Sequence, residues 1–276
     1  LVVAIDDGSG WRVIGADLPT FGKGPWYGPS PRFVLVIGSD ARPGEDPLAQ
    51  RADSLHILTA VPEQRAGAIV GIPRDSWLAS PSGGRTKITN ILASHGPGGI
   101  LATVQSLSGL PLEGYLITGF GGFVDLVNAF GSVRVEVPFG MSDRASGAFF
   151  EAGEQDMHGW DALAFSRNRH IGGGDFTRSL HQGVVIKAAL GQIQQAGIEN
   201  LPRNLAILTQ FVFTDFSLEH LTSLAATSYL LDPAQVPNVV VPGSVGSVGA
   251  ASVVFLGDGA QTVFADLADG TLTPPQ

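Results

Sequence analysis

Phe33-Val-Leu-Val-Ile-Gly38 is a continuous apolar run closed by glycine, and Ser39-Asp40-Ala41-Arg42 follows it directly. An uninterrupted apolar run of this length is the pattern of a strand covered on both faces. The polar residues after it stand at the carboxyl end of that strand, where open α/β sheets place ligands. Two further strands are predicted, at residues 55–60 after Arg51-Ala52-Asp53-Ser54 and at residues 68–72 before Pro73-Arg74-Asp75. Three successive strands therefore carry Asp and Arg at or near their ends. Arg51 and Asp53, separated by one residue, share a face of an extended segment.

Working outward, residues 85–90 read as a polar loop entering a helix, with Ile100, Leu101, Val104 and Leu107 on one side of residues 99–107. A strand is expected at 115–118, an aromatic-rich helix at 120–130 and an alternating strand at 132–137; residues 140–156 read as loop. Helices are expected at 159–165, 175–193, 201–213 and 217–230, the last capped by Ser217. Late strands at 239–241 and 252–255 precede a helix after Asp258. Strands interleaved with helices throughout indicate one α/β domain of mixed order. Before it, residues 1–16 form a hairpin turning at 7–10, and residues 18–31 an ordered linker without period. The division is thus 1–31, hairpin and linker, and 32–276, a single domain.

Hydrophobic residues make up 44% and charged residues only 15%, against a usual ~25% charged. With a mean hydropathy of +0.21, the composition leaves room for an apolar cavity as well as a core. No apolar run approaches the ~18 residues that span a bilayer. The net charge of −9 argues against nucleic acid as a partner. The absence of cysteine excludes disulfides and thiolate metal sites. The histidines His158, His170 and His181 have no zinc-like spacing, and no Gly-x-x-x-x-Gly-Lys block supports a nucleotide loop.

The cations are unevenly placed. Of the 16 Lys and Arg residues, 12 lie between Arg32 and Arg178 and none follows Arg203. Residues 167–182, Arg-Asn-Arg-His-Ile-Gly-Gly-Gly-Asp-Phe-Thr-Arg-Ser-Leu-His-Gln, concentrate three of them. Arg167 and Arg169 leave the same face if this segment is extended. Gly172, Gly173 and Gly174 supply a turn through which the backbone can approach a ligand closely. Asp175 has the chemistry of an N-cap or of an arginine orienter. Arg178 then falls in the first helical turn and Gln182 four residues on, on the same side. Three guanidinium groups around a helix N-terminus suit a multiply charged anion such as pyrophosphate. Surface arginines paired with local carboxylates are the bland alternative.

The blocks at 34–42, 51–54, 72–75 and 167–182 resemble, in order and spacing, the LytR-CpsA-Psr family. The resemblance covers roughly residues 33–190. It implies a three-layer α-β-α fold with a central mixed sheet, a lipid tail in an apolar pocket and a pyrophosphate at its mouth. The implied activity is transfer of a glycopolymer from a polyprenyl-pyrophosphate carrier to peptidoglycan, forming a phosphodiester on the extracytoplasmic face of the membrane. Carried over to this sequence, Asp40 and Asp53 become the Mg²⁺-side carboxylates. Arg51, Arg74, Arg167, Arg169, Arg178 and Lys87 become the pyrophosphate binders, with Asp175 and Gln182 supporting them and Asp40 the first candidate for the base. Thr89 and His181 depart from the family pattern. The chain begins at Leu1 rather than Met, and a single-pass N-terminal anchor is expected to have preceded it. Two rival functions use the same anion site: a polyprenyl-pyrophosphate hydrolase, and a non-catalytic polyprenyl-phosphate receptor.

Overall fold

The computed structural model of the protein describes residues 1–6, 8–168 and 172–272. In chain order its strands and α-helices are β1 (Val2–Asp6), β2 (Trp11–Leu18), β3 (Lys23–Trp26), β4 (Arg32–Ser39), β5 (Ala52–Val61), β6 (Ala66–Gly71), β7 (Trp77–Ala79), β8 (Arg85–Lys87), α1 (Thr89–Ser108), β9 (Gly114–Thr118), α2 (Phe120–Phe130) and β10 (Val133–Val137). They continue as β11 (Met141–Asp143), β12 (Ala148–Phe150), β13 (Gly153–Met157), α3 (Gly159–Arg167), α4 (Asp175–Ala196), α5 (Leu201–Phe211), β14 (Phe213–Thr214), α6 (Leu218–Ser228), β15 (Asn238–Val240), β16 (Gly243–Val248), β17 (Ala251–Leu256) and α7 (Asp258–Asp266).

The central sheet has six strands in the order β14-β9-β4-β5-β6-β15. It is mixed: β4 runs antiparallel to β5 and parallel to β9, and β15 is parallel to β6. Side chains alternate across it with the period of two that a strand imposes. Phe33, Leu35, Ile37, Leu55, Ile57, Ala68 and Val70 pack with Ile91, Leu92, Ile100 and Val104 of α1 and Ala260 and Phe264 of α7. The opposite face presents Val34, Val36, Leu58 and Ile69 to α2, α4, α5 and α6, which arch over a cavity. Helices thus cover both faces, and the three-layer α-β-α expectation holds.

Two glycines seat α4 on that second face. A Cβ at Gly71 would overlap Ser179 Oγ and crowd His56, and one at Gly183 would overlap Asn238. The long helix therefore lies tight against β6 and β15 at its N-terminal half, where Arg178 and Gln182 are.

Several expectations need correction. Residues 140–156 contain β11, β12 and most of β13, short pieces that single-sequence periodicity does not resolve. Residues 85–87 pair with β7, and α1 begins at Thr89 and passes a kink at Gly96-Pro97. The Gly/Ser-rich stretch of β16 pairs with β17 although its composition argues against a strand. Residues 18–31 are more than linker, since β3 joins β2 in a three-stranded sheet. That sheet is packed on the body: Val3, Ile14 and Tyr27 share a core with Leu201, Leu205 and Leu221.

Candidate functional site

The sheet ends where β4 finishes and β5 starts. There Asp40 N–H donates to Arg51 O at 2.8 Å, and the Arg51 amide donates to Asp40 Oδ1 at 2.9 Å. The β4–β5 register shifts between Gly38 and Ser39. Arg51 lies before β5 and is exposed, whereas Asp53 lies within it and is half-buried. Asp53 accepts from Arg74 Nη1 rather than from Arg51.

From Asp53 a chain of alternating charges crosses to α4. Arg74 holds Asp53 and lies 3.9 Å from Asp175 Oδ1, which also accepts from Arg178 Nη2. The Asp75 amide donates to Asp175 Oδ2 at 3.4 Å, and Lys87 Nζ pairs with Asp75 at 3.1 Å. Arg178 is only 3% exposed; burial strengthens such pairs and makes an unpaired member costly. Gln182 Nε2 donates to Asp53 O at 3.3 Å and Ser166 O at 3.4 Å, tying α4 to β5 and α3.

One reading of residues 167–182 is narrowed here and one changes. Asp175 is the first residue of α4, the N-cap is Gly174, and Asp175 makes no capping bond. Its carboxylate is spent on Arg178 and the Asp75 amide instead, so it orients arginines. Gly173 and Gly174 have φ of 86° and 56°, a left-handed path that residues with a Cβ rarely take. Arg167 is the last residue of α3, not part of an extended segment, and its guanidinium lies 4.6 Å from the centroid of the Phe120 ring. Arg169 lies outside the described residues.

Asp53, Arg167 and Gln182 also line one end of the apolar cavity, which has a volume of about 390 Å³. Its walls are hydrocarbon and aromatic: Val34 and Val36 of β4, Phe120, Phe123 and Leu126 of α2, Ile186 and Leu190 of α4. The aromatic helix at 120–130 is therefore cavity wall. Asp40 and Arg51 stand beside this mouth at the sheet end and are not among its lining residues.

Asp40 and Asp53 are of the oxygen-donor type that a small hard cation takes. The bonds described use one oxygen each of Asp40 and Asp53, leaving a carboxylate oxygen on both. Mg²⁺ asks for one or two carboxylates and takes its remaining ligands from phosphate and water. Among the described residues no group of three or more His, Asp or Glu side chains is placed to hold a metal ion by itself.

Two histidines beside this network, His56 and His181, are buried. His56 is fully buried, and because a carbonyl only accepts, its Nε2 donates to Ser179 O at 3.0 Å. That tautomer leaves Nδ1 to accept from Ser54 Oγ at 3.1 Å. Burial pushes His56 down to about 4. His181 stacks on Phe165 with centroids 4.6 Å apart, and burial lowers it to about 4 as well. Both are neutral near pH 7. Ser54 and His56, separated by one residue on β5, share a face of the strand.

The family model described as the LytR_cpsA_psr family matches residues 28–265. The polyisoprenyl-teichoic acid–peptidoglycan teichoic acid transferase TagV of Bacillus subtilis (strain 168) is 27% identical over 202 residues, 64% of this chain and 52% of that protein. The transferase of the same description, TagU, from Halalkalibacterium halodurans is 32% identical over 198 residues, 70% of this chain and 64% of TagU. The chain thus spans between half and two thirds of the length of these curated relatives. The crystal structure of B. subtilis TagV superimposes with a TM-score of 0.74 at 24% identity, covering 88% of this chain and 98% of that one. At that identity the likeness speaks for the fold.

Proposed function

The chain belongs to the LytR_cpsA_psr family, and on that premise we propose that it is a Mg²⁺-dependent phosphotransferase. It moves a glycopolymer from a polyprenyl-pyrophosphate carrier onto peptidoglycan and leaves a phosphodiester link. The observation that carries this reading is a juxtaposition. An apolar cavity opens beside Asp53, Arg167 and Gln182, with Arg74, Asp175 and Arg178 joined to Asp53. An isoprenoid tail suits the hydrocarbon walls, and a pyrophosphate suits planar, permanently charged guanidinium forks.

In this reading Arg74, Arg167 and Arg178 hold the pyrophosphate, helped by Arg51, Arg169 and Lys87, while Asp175 and Gln182 fix their directions. The resting chain Asp53–Arg74–Asp175–Arg178 is electrically balanced, so bound phosphates would draw the two arginines partly away from their carboxylates. Mg²⁺ held by Asp40 and Asp53 would offset charge on the phosphate oxygens. The acceptor hydroxyl oxygen bonds to the glycan-side phosphorus and the bond to the bridging oxygen breaks. Polyprenyl phosphate leaves, and Asp40 is the candidate to take the hydroxyl proton. The site contributes mostly positioning and charge stabilisation, as phosphoryl transfer requires. The same reading carries an extracytoplasmic location, where carrier and peptidoglycan meet.

The test is a transfer assay with a lipid-linked oligosaccharide donor and peptidoglycan acceptor, with unfolding midpoints as a folding control. Arg74→Ala and Arg178→Ala should each lower the rate by roughly 10²–10³, as loss of one aimed donor does. Wild-type rates in both variants would overturn the assignment. Acceptor-independent phosphate release as the only product would instead mark a hydrolase, and tight lipid binding without turnover a receptor.

A further inference from the structure

The far end of the cavity carries polar groups that the chemistry at the mouth does not use. The cavity follows β4 from Ser39 and Gly38 through Val36 and Val34 to Arg32, a span of about 23 Å at the rise of an extended strand. Arg32 is 1% exposed, and all three of its nitrogens are engaged. Nε donates to both oxygens of Glu113 at 3.1 and 3.2 Å, and Nη2 donates to Glu113 Oε2 at 2.6 Å. Nη1 donates to Tyr27 O at 3.0 Å and to Ser223 Oγ at 2.8 Å. Asn204 and Tyr229, which also line the cavity, bond to each other at 2.8 Å.

This guanidinium cannot easily swing aside. Moving it away from Glu113, Tyr27 O and Ser223 would leave a buried guanidinium charge against hydrocarbon, which offers no hydrogen bond in return. A growing apolar tail entering from the mouth meets hydrocarbon along Val36 and Val34 and then a fixed ion pair. We infer that Arg32, locked by Glu113, is the stop at the end of the cavity and sets the longest isoprenoid tail the protein binds in full. The inference rests on the reading that the cavity takes a polyprenyl tail, and it adds a specificity determinant remote from the phosphate site.

The test measures binding of linear isoprenoid monophosphates, from farnesyl phosphate upward, by titration calorimetry. Wild-type affinity should rise with each unit, because each buries further hydrocarbon, and then stop rising at a ceiling. The double variant Arg32→Met/Glu113→Leu replaces the ion pair with hydrocarbon of similar volume, a change that buried pairs often tolerate. Its ceiling should move at least one unit longer. Val34→Trp fills the cavity just before Arg32 and should move the ceiling at least one unit shorter. Should the double variant not fold, Val34→Trp decides by the same criterion. A ceiling at the same length in wild type and in every folded variant would overturn the stop while leaving the lipid-binding reading intact. No binding of any isoprenoid phosphate to the wild type would overturn both.

Discussion

The two faces of the central sheet are built from the same residue types and end up in opposite states. On one, Leu35, Ile37, Leu55 and Ile57 meet α1 and α7 and are wholly buried in a filled core. On the other, Val34, Val36, Leu58 and Ile69 line a cavity beneath α2, α4, α5 and α6, with Leu58 and Ile69 packed on one side against Leu231 and Val236. The alternation along each strand decides which side chains go to which face. What covers a face decides whether it is filled. Charged side chains stand at both ends of the void, Asp53, Arg74, Asp175 and Arg178 at one and Arg32 with Glu113 at the other, so the filled face supplies the rigidity and the open face the candidate site.

Leu55 and Leu58 lie on one strand and point to the two faces, which makes them the sharpest contrast. Leu55→Ala should cost about 2–5 kcal/mol in chemical denaturation, the range for removing a packed leucine side chain. Less than about 1 kcal/mol would mean that this face is not filled. The next effect comes from the packed region around α4, outside the cavity lining, where His56 and His181 are buried neutral. As pH falls from the unfolded value near 6.5 to about 4, the unfolded chain takes up protons that the folded one refuses, so stability drops across that window and is unaffected above it. His181→Phe should remove part of that loss, gaining about 1–3 kcal/mol over the wild type at pH 4 and little at pH 7. Denaturation curves at both pH values check this, and parallel losses in the two proteins would refute it. The smallest effect is Leu58→Ala, at about 1 kcal/mol without ligand, since a half-buried side chain that packs on one side and lines the cavity on the other has fewer neighbours to lose. Costs equal to those of Leu55→Ala would erase the contrast.

Much of this architecture was legible in the chain. Residues 33–38 and 68–72 are apolar runs bounded by polar or turn residues, 55–60 is apolar except for His56 and Thr59, and each became a central strand covered by helices on both faces. The helix at 120–130 was equally plain, but periodicity identifies an apolar face and not what it meets, so core and cavity wall read alike. Part of the candidate site was legible as residue types: Asp53, Arg74, Asp175 and Arg178, singled out in the sequence, form one chain of contacts. Their pairings were not, because partners such as Arg74 and Asp175 are far apart in sequence. Asp175 illustrates the limit, since its position before an apolar run suggests a cap while a tertiary partner claims its carboxylate. Arg32 was invisible for the same reason: it precedes a strand like any surface cation, and only Glu113, 81 positions away, reveals it as buried.

The most direct test of the account is a crystal structure of the protein soaked with a long-chain polyprenyl monophosphate. The phosphate should sit against Arg74, Arg167 and Arg178, and the tail should run along Val36 and Val34 beneath α2. A phosphate bound away from those arginines, or a tail lying outside with α2 closed down on the sheet, would contradict it.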